Sequence, residues 1–125
     1  MSVARALIWS GDRAFRRATR QLLTQGGFAV VASSRGLLRG PDAELLLVDI
    51  DALPHGWWRD ISALRMRNRS VALILASDSW LDFARLRAWR PCGYVRKPLG
   101  LAEVTRVLRA LVPNVAQQAA PPRAA

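Results

Sequence analysis

The sequence predicts an α/β domain: one parallel sheet, doubly wound, with helices packed on both faces. Three observations predict it. Short apolar runs alternate along the chain with segments whose apolar residues recur at helical spacing. The runs Leu45–Val48 and Val71–Ala76 are near-continuously apolar, as parallel strands covered on both faces are. The polar positions Ser10-Gly11, Asp49 and Lys97 all fall where such strands end, which is where open α/β sheets place their ligand sites.

Each element has its own signal. Arg5–Trp9 is an apolar run that reads as a buried first strand, broken by Ser10-Gly11-Asp12. Ser10 or Asp12 then caps a helix over 13–25, where Phe15, Ala18, Leu22 and Leu23 form an apolar stripe opposite arginines. Gly26-Gly27 ends it. Phe28–Ala32 is a second strand. Residues 33–42 have room for about one or two helical turns, and Gly36 weakens them, so the second helix is predicted to be shortened. Ala43–Asp49 is the third strand and 51–56 a loop. A third helix carries Trp57, Trp58, Ile61 and Leu64, and Val71–Ala76 is the fourth strand. Residues 80–89 read as a short helix, Tyr94–Arg96 as the fifth strand and Leu101–Val112 as the last helix. The stretch 113–125 lacks periodicity and reads as a disordered tail, leaving 1–112 as one domain.

Composition bounds the function. No apolar run approaches the ~20 residues that cross a bilayer, and no signal peptide is apparent, so a cytoplasmic protein without a membrane partner is expected. A single cysteine, Cys92, excludes an internal disulfide. The lone His55 and Cys92 provide no metal-ligand spacing, and phosphate-binding, dinucleotide and serine-nucleophile motifs are absent. Nineteen basic residues stand against nine acidic ones, a net charge of +10. Arginines occur in every predicted helix, which suits solvated faces as well as a nucleic-acid surface. Lys97 is the only lysine, a compact ammonium in a chain that otherwise uses guanidinium. Five tryptophans are a heavy load: Trp9 is expected in the core, one of Trp57 and Trp58 at the surface, and Trp89 beside Arg85 and Arg96 as a candidate interface.

The strand end Leu45-Leu46-Leu47-Val48-Asp49, followed at the right interval by Gly93-Tyr94-Val95-Arg96-Lys97-Pro98, resembles the bacterial response-regulator (CheY-like) receiver domain over residues 5–112. The resemblance implies a flavodoxin-like doubly wound five-stranded parallel sheet in the order 2-1-3-4-5. It implies Asp49 as phosphoacceptor, Lys97 and Ser77 (or Ala76, one residue earlier) as phosphoryl contacts, Tyr94 as switch aromatic, and a cis bond before Pro98. Where the family carries an acidic pair that holds magnesium, this chain has Ser10-Gly11. Asp12 lies one residue late, Asp51 approaches from the other side, and the loop to Pro54 is one residue longer than the family's.

The resulting expectation is a stand-alone, divergent receiver, a pseudo-receiver without enzyme activity. It is expected to act through protein–protein contacts, with weak or no magnesium-dependent phosphorylation and no cofactor. Its partners would be signalling proteins, a histidine kinase or a downstream effector, with a homodimer open. Two alternatives stand beside it. One is a phosphorylatable regulator using Mg2+ held by Asp49 with Asp12 or Asp51. The other is a basic nucleic-acid-binding module on the same scaffold.

Overall fold

The computed structural model describes residues 4–34, 43–79, 89, 90 and 92–111. The expected shortened second helix, the helix at 80–88, Arg85 and the tail lie outside the described residues. Strand β1 (Arg5–Trp9) leads into helix α1 (Arg13–Gln25), then β2 (Ala29–Ser34), β3 (Leu45–Asp49) and a 3-10 turn (Ile50–Ala52). Helix α2 (Trp57–Arg67), β4 (Ala72–Ser77), β5 (Cys92–Arg96) and helix α3 (Leu101–Leu111) follow. The strands form one parallel sheet in the order β2-β1-β3-β4-β5.

Several bounds match the sequence pattern residue for residue, β1 and α1 among them. Strand β2 runs on to Ser34, because Ser33 and Ser34 keep pairing with Ile8 and Trp9 after a bulge at Ala6/Leu7. Asp12, not Ser10, caps α1: its carboxylate accepts the Ala14 and Phe15 N–H groups. Gly27 closes the same helix at φ 90°, a conformation that glycine adopts without steric cost. Gly56, at φ 86°, opens α2.

Period-two alternation splits the strand side chains between two cores. Ala6, Ile8, Leu45, Leu47, Ile74 and Val95 face α1 and α3, meeting Leu23, Val104 and Leu108. Leu7, Trp9, Leu46, Val48, Leu73 and Leu75 face α2, meeting Ile61. Where the end of α1 meets the start of α3 on that face, a Cβ on Gly26 would lie 2.6 Å from Leu101 Cδ1.

The tryptophans depart in part from expectation. Trp9 is buried as the pattern requires. Trp57 and Trp58 are both half-buried, because edge-on contacts link His55, Trp58, Trp57 and Trp89 into one aromatic row. Trp89 is not an exposed interface residue. It is only 7% exposed, packs in the α2-side core and donates its indole N–H to Ser62 Oγ at 3.0 Å. Beneath it lies a residue the sequence reading missed. Arg65 is buried and donates to the carbonyls of Trp89 (2.9 Å), Val71 (2.7 Å) and Asn68 (3.2 Å), tying α2 to the chain that enters β4 and the chain that enters β5. Its position four residues after Ile61 places it on the apolar face of α2, the one signal that could have found it.

Candidate functional site

Strand register assembles the site. Trp9 pairs with Val48, Asp49 with Ala76 and Ser77 with Arg96, so the residues at and just past these strand ends converge. Parity then selects who meets whom. Ser10 continues the Ala6–Ile8 series, Asp49 the Leu45–Leu47 series and Lys97 follows Val95, all on the α1/α3 side. The ladder extends one step past β5 through the Lys97 N–H, which donates to the Ser77 carbonyl at 3.0 Å. The Lys97–Pro98 bond is cis, as the resemblance implies.

Asp49 is fully buried and its carboxylate is filled. Oδ2 accepts the Ser10 hydroxyl at 2.7 Å. Oδ1 contacts Lys97 Nζ at 2.5 Å and accepts the Asp51 N–H at 3.2 Å. Lys97 Nζ also reaches Asp51 Oδ2 at 3.2 Å and lies 4.8 Å above the Phe15 ring, a favourable seat for a cation. Asp51 in turn accepts the Ser77 hydroxyl at 2.7 Å and the Asp78 N–H at 2.8 Å. One ammonium therefore bridges two carboxylates, and each carboxylate takes one serine hydroxyl.

Electrostatics follow the geometry. Burial alone would lower the Lys97 ammonium, but its bonds and charge contact with Asp49, then Asp51, hold it above the usual lysine value. Burial would likewise raise the Asp51 carboxyl. Hydrogen bonds from Ser77 and Asp78, then Lys97, instead hold it below the usual carboxylate value.

The remaining candidate positions are also placed. Ser77, not Ala76, carries the hydroxyl at the end of β4, and it turns to Asp51. The Tyr94 hydroxyl donates to the Ser79 carbonyl at 2.7 Å and reaches the Ser77 carbonyl at 3.2 Å. Arg96 is exposed at the end of β5. Asp12 is committed to capping α1, while Arg16 Nη1 donates to the Ser10 carbonyl at 2.8 Å. The Gly11 N–H donates to the Ala52 carbonyl at 2.6 Å, and a Cβ at Gly11 would overlap that same oxygen. The lengthened loop after β3 thus fills the space that a side chain at position 11 would need. Among the described residues no three His, Cys, Asp or Glu side chains cluster as a metal ion would require. A cleft of about 490 Å³ opens beside the site, lined by Phe15, Leu22, Lys97 and Leu99 with Asp12 and Asp78.

No protein-family model and no curated protein matches the chain. Solved structures do. A receiver domain protein (CheY-like) from Methanospirillum hungatei JF-1 is 20% identical, with a TM-score of 0.72 over 94% of this chain and 97% of its own. A two-component response regulator of the LuxR family from Aurantimonas sp. SI85-9A1 is 22% identical, with a TM-score of 0.71 over 94% and 96%. A response regulator receiver domain protein from Clostridium thermocellum is 15% identical, with a TM-score of 0.73 over 90% and 96%. With five parallel strands in the order β2-β1-β3-β4-β5, the chain has the fold of response-regulator receiver domains.

Proposed function

We propose that this chain is an atypical receiver module of two-component signalling, a pseudo-receiver that works by protein–protein contact and not by magnesium-dependent phosphorylation. One observation carries the reading. The carboxylate that matches the phosphoacceptor is buried and already held by a hydroxyl, an ammonium and an N–H group. Attack on phosphorus needs a free carboxylate oxygen and a cation that neutralises the converging negative charge. Here Lys97 neutralises Asp49 from within.

The donor set does not fit a magnesium ion. That ion takes an octahedron of carboxylate and water oxygens. Ser10 points its hydroxyl at Asp49, Gly11 has no side chain and no room for one, and Asp12 faces its own helix. Asp49 and Asp51 remain, and Lys97 bridges them. The named response regulators among the solved relatives support signalling proteins as partners, a kinase upstream or an effector downstream.

The test is incubation with magnesium and acetyl phosphate, read by intact-protein mass. The expected result is no phosphoprotein at times that fully label a receiver with an intact acidic pair. Stoichiometric labelling lost in Asp49→Asn would sink the proposal and establish the phosphorylatable alternative.

A further inference from the structure

Helix α1 carries a stripe of charge that the site does not use. At about 100° per residue, Arg13, Arg17 and Arg20 fall within an arc of about 60°, spread over about 10 Å of helix. All three are exposed, and none forms an ion pair among the described residues. The helix contains no acid at all, whereas α2 carries Asp60 and α3 carries Glu103.

The stripe works against the helix that bears it. Apart from the Asp12 cap there is no acid at the positive end of the helix dipole, and Arg13 and Arg16 add charge of the wrong sign there. Arg13–Arg17 and Arg16–Arg20 are like-charged pairs at i,i+4 spacing, which weaken a helix. A bound polyanion would offset these repulsions with its own attraction to each arginine.

Three classes of polyanionic partner can be separated by what else the face offers. A membrane-surface helix needs an exposed apolar face beside its charges, but Leu23 is buried on the sheet, and the half-buried Phe15 and Leu22 line the cleft on the opposite side of α1 from the stripe. A protein interface centres on apolar or aromatic anchors, and the two large exposed hydrophobics among the described residues, Val31 and Met66 (39% and 78% exposed), lie on other elements. What surrounds the stripe is Gln21 and Thr24, both exposed. Guanidinium groups match phosphate by paired hydrogen bonds, and the chain's net charge of +10 adds a long-range attraction for an extended polyanion.

We propose that the Arg13–Arg17–Arg20 face of α1 binds the phosphate backbone of nucleic acid without sequence preference. This surface is independent of the chemistry at Asp49. The probe is a labelled 20-base-pair DNA duplex, followed by fluorescence anisotropy between 50 and 200 mM salt. Each phosphate neutralised contributes about 0.9 to the slope of log affinity against log salt. Replacing the three arginines with glutamine should therefore flatten the slope by about 2.7, removing a roughly 40-fold affinity change over this range. A control triple of equal charge change, Arg59→Gln, Arg67→Gln and Arg69→Gln on and after α2, should flatten it by less than 1. If the α1 triple fails to fold by circular dichroism, Arg17→Gln alone is read, with a loss of about 0.9 expected. Equal effects of the two triples, no salt-dependent binding by the wild type, or preference for polyglutamate over DNA would each overturn the proposal. The last outcome would assign the stripe to an acidic protein.

Discussion

Replacing Lys97 with methionine removes the ammonium from between two carboxylates while keeping most of the side chain's volume. The lysine contacts of 2.5 and 3.2 Å place the Asp49 and Asp51 oxygens within about 6 Å of each other. At an effective dielectric of about 20, two negative charges at that separation repel by about 3 kcal/mol. Asp49 is fully buried and loses its cation, and breaking such a pair costs about 3–5 kcal/mol. Protonation sets a ceiling: neutralising an ordinary carboxylate at pH 7 costs about 4 kcal/mol, at 1.36 kcal/mol per pH unit. The expected loss at pH 7 is thus about 3–4 kcal/mol, a large share of a small domain's stability. The pH dependence has a definite sign. Lys97 is raised, so its contribution is complete below the unfolded value of 10.5 and disappears as pH rises through the folded value. Asp51 is lowered, so its contribution is complete above the unfolded value of 3.8 and disappears as pH falls through the folded value. Both wild-type contributions are thus constant between pH 7 and pH 4.5, and the deficit should narrow towards acid only because the variant's carboxylate pair, left without its cation, takes up a proton. Urea unfolding at pH 7 and pH 4.5, followed by tryptophan fluorescence, measures both quantities; Trp9, buried at the end of β1 beside the site, serves as reporter. A deficit under about 1 kcal/mol at pH 7, or one that does not shrink in acid, would refute the bridging role of Lys97.

Further outcomes follow from other parts of the structure. Gly11→Ala forces a Cβ against the Ala52 carbonyl and should cost about 1–3 kcal/mol in urea unfolding, as overpacking does. Arg65→Met keeps the volume but strands the Trp89, Val71 and Asn68 carbonyls, and a loss of about 3 kcal/mol is expected by thermal unfolding. Burial pushes the Cys92 thiol up to about 12, so native protein at pH 8 should label with a thiol reagent much more slowly than urea-unfolded protein.

Much of the fold was legible because a single rule governs it. A parallel strand covered on both faces is apolar throughout, so β1, β3 and β4 appear as runs, and α1 declares itself by spacing and by its Gly-Gly end. The members of the site were legible as strand ends, and the Asp49–Lys97 contact followed from the resemblance, but the partners of Ser10 and Asp51 were not legible. That Ser10 meets Asp49 depends on register, which places Trp9 opposite Val48. Asp51 reads in sequence as a metal ligand in waiting. In three dimensions the 3-10 turn at 50–52 swings it onto Lys97, Ser77 and the Asp78 N–H. Trp89 was misjudged, and Arg65 missed, for the same reason. Each looks exposed by residue type or position, and each is buried through the other, the arginine capping the tryptophan's carbonyl.

In the proposed reading Asp49 is held by Ser10 and Lys97 and takes no metal. A crystal structure grown with magnesium and beryllofluoride tests it most directly. The Asp49–Lys97 contact should be unchanged, with no ion or fluoride beside Asp49. Density for a magnesium ion beside Asp49, with Lys97 displaced onto a fluoride bound to that carboxylate, would contradict it.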